Sequence, residues 1–453
     1  MSPGRADAVS DGALATHALA RVHARGRVAA PWFGPRAETR RITRRRSRSP
    51  AGHARSVTLR PMRHEHWTLH PEVTFLNHGS FGATPRVVLE EQRRLRDALE
   101  REPLRFLAPE RDLEPKLDAA RERLAALIGA RSQDVAIVRN ATDGCNAVLH
   151  SFPFSEGDEI VITDHGYRAC NNAATHAAER AGARVRVAKI PFPLTGPEEV
   201  VGAIAAACTD RTRLILVDHV TSPTALVLPV AEIVRDAHAR GIRVLVDAAH
   251  APGMVPMDVT ASGADYTTGN LHKWLCCPKV AGFLHVREEH QETVRPTTIS
   301  HAATAARPGR SRFLAEFDWT GTFDPTPFLC LPRALDFLSS LRPGGLEAHM
   351  VANHALAVDG ARVVRAALGV EGPAPDSMLG SMATLPLPDG PPAPEGRTDL
   401  LQQRLFDHHR IEVPIAHWPA PGKRWVRISA QAFNERQDYE RLAGALTEEL
   451  GAG

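Results

Sequence analysis

The sequence predicts an α/β protein: a large domain on a mainly parallel sheet of about seven strands, then a smaller α+β domain. Two observations carry this. From Asp134 to Val286, short apolar segments alternate with helical ones. Those segments are apolar along their length, as strands covered on both faces are. Beyond Gly344 the alternation gives way to helix and a few isolated strands, which marks the smaller domain. A chain of 453 residues has room for both. The boundaries are placed at residues 1–61 for a tail, 62–325 for an N-terminal arm with the large domain, and 326–453 for the small domain.

Residues 1–61 are rich in Arg, Ala, Ser and Pro, with a basic run from Arg40 to Arg46, and are not expected to fold. Three readings compete: a basic arm for nucleic acid, a transit peptide, or leader upstream of a true start at Met62. The preference for Arg over Lys is that of GC-rich coding sequence and favours the last. Val73–Phe75 reads as a short strand entering the glycine-bearing loop Asn77–Gly82. Thr84-Pro85 is expected to open a helix, with Thr as N-cap and Pro as its first residue. A second helix covers Leu113–Ile128 and stops at Gly129.

Strands are expected at Val135–Val138, Glu159–Thr163, Arg184–Ala188, Leu214–Val217, Arg243–Asp247, Ala264–Thr267 and Val280–Val286, with helices between the first five. Arg295–Asp324 reads as a polar loop. Helix resumes at Pro332–Leu341 and again beyond Gly344. Strands at Ser381–Leu385 and Trp425–Ser429 then flank a Pro/Gly-rich loop at 386–397 and a helix reaching Leu405.

Apolar residues (43 %) and charged residues (24 %) are in the proportions of a soluble globular chain. The net charge of +3 comes from the tail, leaving the remainder near neutral or slightly acidic, which argues against nucleic acid as the main partner. The six cysteines are scattered with no CxxC pair, so neither a metal site nor a disulfide framework is expected, and a reducing cytoplasm fits. No apolar run approaches the roughly 20 residues that cross a bilayer, so no membrane association is expected.

Lysine is scarce, and Lys273 stands out. It follows the small polar run Thr267–His272 just past a strand, while the strand Arg243–Val246 ends in Asp247. A lysine placed to form a Schiff base, with a carboxylate at a strand's end, is what pyridoxal phosphate requires: an amine to hold its aldehyde and an anion to keep its ring nitrogen protonated. Asn140-Ala141-Thr142 opens a helix after a strand, where free N–H groups, the helix dipole and the Thr142 hydroxyl suit a phosphate; taken alone, it reads better as an ordinary N-cap. Thr142, Asp247 and Lys273 all fall at the carboxyl ends of strands, where open α/β sheets bind ligands.

Together, Leu76–Gly82, Asn140–Thr142, Asp218–Thr224, Asp247–His250, Gly269–Trp274 and Trp319–Thr322 resemble the class V aminotransferase family of fold-type-I pyridoxal-phosphate enzymes, and within it the isopenicillin N epimerase-like branch. The resemblance runs from about Phe75 to the C-terminus. It implies that Lys273 carries the cofactor, Asp247 binds its ring nitrogen, and His250 meets its ring hydroxyl. Ala141, Thr142 and His272 would hold the phosphate. Either His165 or Tyr167 would stack on the ring. Arg427 would grip a substrate carboxylate, with Asn77 and His78 also near the substrate. His219 and Tyr167 are candidates for a second acid–base group, although a hydrogen-bonded structural histidine is an equal reading of His219. Thr322 would reach the phosphate of a neighbouring subunit, implying a homodimer with shared active sites.

The implied activity is Cα chemistry on a small-molecule amino acid: epimerisation, transamination, or C–S β-elimination of the ergothioneine-sulfoxide-lyase type. Cysteine desulfuration is disfavoured, because no cysteine stands on a loop of the C-terminal domain and Cys330 is followed at once by helix-like sequence. A reading from another class is a non-catalytic regulatory or nucleic-acid-binding protein of the same fold that uses the basic tail.

Overall fold

The computed structural model describes residues 63–393 and 397–451, so the readings of residues 1–61 lie outside it. Its first strand, β1 (Thr74–Phe75), belongs to the arm. β2 (Val135–Val138), β3 (Glu159–Thr163), β4 (Arg184–Ala188), β5 (Thr212–Asp218), β6 (Arg243–Ala248), β7 (Tyr266–Asn270) and β8 (Gly282–Val286) form one seven-stranded sheet in the order β2-β8-β7-β6-β5-β3-β4. β8 runs antiparallel to both neighbours, and the β4, β3, β5, β6 and β7 pairings are parallel.

The apolar strand sequences follow from cover on both faces. Leu214, Leu216 and Leu245 enter one core cluster with Ile160 and Ile162, while Ile215, Val217, Val244 and Val246 enter another with Val161 and helix residues Val200, Ile204 and Ile233. That is the period of two expected of a strand with helices on both sides.

β9 (Met382–Pro386), β10 (Ile411–Glu412), β11 (Ile415–His417) and β12 (Arg424–Ser429) lie in the C-terminal part. β11, β12 and β9 form an antiparallel three-stranded sheet. The long helices Gly345–Leu368 and Arg436–Gly451 contribute Ala357, Val364, Tyr439 and Leu442 to the core shared with β9 and β12. β1 pairs with β10, and the Ser429 N–H donates to the Leu76 carbonyl (3.0 Å). The arm is thus stitched to the C-terminal sheet, a long-range pairing that a two-residue strand does not announce in sequence.

Three sequence expectations need correcting. The helix expected to open at Thr84-Pro85 begins at Arg86, with Pro85 as its N-cap. Thr84 does not cap it, because its hydroxyl donates to the Cys277 carbonyl (3.2 Å). β7 starts at Tyr266 rather than Ala264, since the Asp265 carboxylate turns away to accept from His238 Nε2, His290 Nε2 and the Val244 N–H.

The third correction concerns Arg295–Asp324, read as loop, which contains the helix Arg312–Asp318. Ser311 caps it, accepting from the Leu314 N–H (3.2 Å), and it buries Phe313, Leu314 and Phe317. Two turns are too few to show helical periodicity. Packing and charge hold it instead. Buried Arg121 donates to the Val135 carbonyl (2.8 Å) and to Asp318 Oδ1 (2.5 Å), and Arg310 also pairs with Asp318. Asp318→Ala leaves the Arg121 guanidinium buried without its anion and is expected to destabilise the protein by about 3–5 kcal/mol. Urea unfolding checks this; a loss under about 1 kcal/mol would show that Asp118, the other partner of Arg121, suffices.

Candidate active site

A cavity of about 730 Å³ opens beyond the carboxyl ends of β5, β6 and β7. Lys273, Asp247, Asp218, Thr142, Tyr167, His250 and His272 all line it. The turn that carries Lys273 is closed by Cys276 N–H to the Lys273 carbonyl (3.1 Å) and Leu271 N–H to the Ala281 carbonyl (2.9 Å). Beneath it passes the arm. Gly82 has φ of 71°, and a Cβ there would lie 2.1 Å from the His272 carbonyl oxygen, so glycine is required for that approach. Cys276 (φ 56°) and Val280 (φ 71°) adopt left-handed backbone on the same turn, strain that this loop holds beside the site.

The Lys273 amine is buried. Desolvation, opposed by the Asp247 charge, brings its pKa down to about 8. Nζ lies 3.2 Å from His250 Nε2. Asp247 and Asp218 are paired in register at the ends of β6 and β5, and both are buried. Burial pushes Asp247 up, offset by donors on both oxygens: the Cys170 S–H on Oδ2 (3.0 Å) and the Ala249 N–H on Oδ1 (2.9 Å). Burial and the neighbouring Asp247 charge hold Asp218 well above the carboxylate range. Both carboxyls are thus pushed up, and the two donors on Asp247 favour its charged form.

At the helix Ala141–Ser151, Asn140 Oδ1 takes the Asp143 N–H (3.0 Å) and Asn270 Oδ1 takes the Ala141 N–H (2.9 Å). The Ala141 N–H, expected to be free for a phosphate, is thus already engaged, while Ala141 and Thr142 both line the cavity. His272 Nδ1 meets the Ala281 carbonyl (3.0 Å). Arg427 is buried; Nη1 donates to the Ser222 carbonyl (2.6 Å) and Nη2 to Ser80 Oγ (3.0 Å). Its Nε has no partner, no carboxylate faces it among the described residues, and burial lowers its pKa to about 10. A buried cation served only by neutral groups is costly unless an anion joins it.

Other expected site residues sit elsewhere. His78 is fully buried, bonded to the Lys273 carbonyl (3.1 Å) and the Ala83 N–H (3.3 Å), and desolvation brings its imidazole down to about 3. It supports the lysine turn from behind and does not reach a substrate. Asn77 is held by Glu412 and Ser80, and Ser80 and Phe81 line the cavity in its place. Of the two stacking candidates, His165 is enclosed by Thr224 (2.7 Å), Phe192 and Trp418, whereas Tyr167 lines the cavity and is 44 % exposed. His219 does not line the cavity; its neighbour Asp218 does, as alternation along a strand end dictates. Thr322 lies on an exposed segment lining an adjacent cavity of about 470 Å³ that shares Arg139, Asp143, Val280 and Thr297 with the first. Sequence reasoning passed over Asp218, Ser222 and Asn270. The signal was present: Asp218 ends a strand beside the strand that ends in Asp247.

The donor set fits pyridoxal phosphate. An amine of lowered pKa stands centrally, a buried carboxyl supported by two donors lies by it, a helix start with a hydroxyl and a histidine line the same cavity, and Arg427 lies behind the lining residues Ser80 and Ser222, to which its Nη atoms are bonded.

The chain matches the class V aminotransferase family over residues 85–362. It is 35 % identical over 390 residues to an isopenicillin N epimerase of Streptomyces clavuligerus, covering 83 % of this chain and 95 % of that protein. It is 31 % identical to a probable chloroplastic L-cysteine desulfhydrase of Arabidopsis thaliana, covering 83 % and 82 %. Among solved structures, the cystine C–S lyase C-DES in complex with cysteine persulfide superposes with a TM-score of 0.71 at 22 % identity, over 83 % of this chain and 98 % of that one. With the Lys273, Asp247 and Thr142 constellation on one end of the seven-stranded sheet, the chain belongs to the class V aminotransferase family.

Proposed function

We propose that the protein is a pyridoxal-phosphate enzyme that labilises the Cα–H bond of an amino acid and returns the proton with inversion, an epimerase. The observation that carries the amino-acid substrate is Arg427: a buried guanidinium with an unpartnered Nε and, among the described residues, no carboxylate facing it, bonded to Ser80 and Ser222, which line the cavity with Lys273. Its planar fork suits an α-carboxylate. Asp247 would hold the cofactor's ring nitrogen, Thr142 and His272 its phosphate, and Tyr167 would pack on its ring.

The cofactor, when bound, would supply an electron-withdrawing ring that delocalises the charge left on the substrate's Cα as its C–H bond breaks. Lys273, with its pKa brought down to about 8, has an appreciable neutral fraction at neutral pH and takes the Cα proton. Asp247, with the Cys170 S–H and the Ala249 N–H on its oxygens, would present its charge opposite the ring. Arg427 fixes the carboxylate, with Ser80 and Ser222 fixing Arg427 in turn. Burial raises the Tyr167 phenol, so it stays protonated and is a proton donor in the same cavity. Inversion needs a proton donor on the face of the substrate opposite Lys273, the part proposed for Tyr167, and the epimerase relatives at 35–36 % identity support it. Thr322 is proposed to complete the site of a second copy, in a homodimer.

Elimination is the second reading. It needs only Lys273, and relatives named L-cysteine desulfhydrases support it. Sulfur transfer through a protein thiol is not supported, since no cysteine lines the cavity among the described residues. Incubation with amino acids in deuterium oxide separates the readings. Epimerisation gives Cα deuterium in the opposite enantiomer without keto acid; elimination gives keto acid and a released thiol. Exchange with no amino acid of either hand would overturn both. Arg427→Lys should raise KM by roughly 10- to 100-fold, the range for losing charged hydrogen bonds, and an unchanged KM would remove Arg427 from substrate binding.

A further inference from the structure

Trp274 is fully buried, and its indole nitrogen lies 3.4 Å from His250 Nδ1. The other nitrogen of that imidazole, Nε2, is 3.2 Å from Lys273 Nζ. An indole N–H donates and never accepts, so Nδ1 must present its lone pair to Trp274. A neutral imidazole has one N–H, which then sits on Nε2 and points at the lysine nitrogen. We propose that Trp274 is a positioning residue: by fixing His250 as the Nε2–H tautomer, it keeps a donor rather than an acceptor facing Lys273.

His250 is neutral, as this requires. Burial holds its pKa well below the usual range, and the groups around it, Lys273, Arg427, His272 and His78, repel a positive imidazole further. A donor at Nε2 favours the lone-pair form of the lysine nitrogen. The alternative tautomer would offer Nε2 as an acceptor and favour the protonated form. Trp274 therefore biases Lys273 toward the form that can bond to an aldehyde or accept a proton, through one intervening side chain. This rests on the reading that Lys273 carries the cofactor.

The test is the pH titration of the bound cofactor's absorbance in the holoenzyme, which reports the protonation of the nitrogen facing His250. Trp274→Phe keeps an aromatic ring and removes the N–H. It is expected to raise the titration midpoint by about one pH unit, the equivalent of one hydrogen bond. His250→Gln presents an amide N–H whose orientation needs no indole, so its midpoint should stay within about 0.3 unit of wild type, and adding Trp274→Phe to it should move nothing further. No shift in Trp274→Phe, or the same shift in both backgrounds, would assign Trp274 a packing role and overturn the proposal. Should Trp274→Phe fail to give folded holoenzyme, His250→Leu should raise the midpoint where His250→Gln does not; equal shifts in those two overturn it as well. Absence of any cofactor band in the wild type overturns the proposed function itself, an outcome distinct from a wild-type band that titrates without regard to Trp274.

Discussion

Lys273→Ala should abolish both turnover and the covalent attachment of cofactor that borohydride makes permanent, while leaving the fold intact. Lys273 is the one lysine lining the main cavity among the described residues; Lys279, six residues on, is occupied with the Gly82 carbonyl (3.0 Å). Removing the side chain takes a desolvated amine out of the interior, which by itself is not destabilising, so the thermal midpoint of the cofactor-free variant should not fall. The pH dependence sharpens the test. An ordinary lysine amine is free only near pH ~10.4, whereas burial brings this one down to about 8. The rate at which cofactor-free wild type captures pyridoxal phosphate should therefore rise with pH and level off above about 8. A rise continuing through pH 10 would mean that the amine is solvated in solution. Borohydride-stable labelling of the Ala variant would mean that another lysine carries the cofactor.

The parts of this site that were legible in sequence are those whose chemistry is tied to a strand's end. Asp247 closes a recognisable apolar run and Lys273 follows a small polar run just past a strand, and a sheet covered on both faces leaves one edge for ligands. His78, which the resemblance put near a substrate, does not line the cavity; only packing reveals that it is spent on the Lys273 carbonyl and the Ala83 N–H. The choice between His165 and Tyr167 turned on Phe192 and Trp418, the second more than 250 residues away, which wall in the histidine. His219 drew attention as the titratable group, yet the strand's alternation gives the cavity to Asp218. The helix Arg312–Asp318 was missed because its stability comes from Arg121 and Arg310 rather than from its own seven residues. Residues whose role is set by local backbone were readable, and those whose role is set by distant partners were not.

Asp247→Ala should weaken cofactor binding and lower turnover by on the order of a thousandfold, the scale of losing a preorganised charge opposite a developing one. The carboxylate is built for one purpose. It is buried, yet the Cys170 S–H and the Ala249 N–H support its charged form, and burial together with that charge pushes the neighbouring carboxyl, Asp218, well above the carboxylate range. That investment favours no fold: two buried carboxyls on adjacent strand ends repel, and deleting one relieves the other. The cofactor-free Ala variant should therefore melt no lower than wild type, and Asp218 should titrate closer to an ordinary carboxyl once the charge beside it is gone. Function is different, because without the anion nothing keeps a ring nitrogen protonated. The variant should be rescued in part by a cofactor methylated on that nitrogen, whose positive charge needs no proton, and the space left by the carboxylate accommodates the methyl group. Asp247→Asn, which keeps the shape and loses the charge, should be as slow as the Ala variant with the natural cofactor and should gain less from the methylated one. Wild-type rates in Asp247→Asn would show that shape alone suffices and would pass the role of anion to Asp218, the second carboxyl on the cavity.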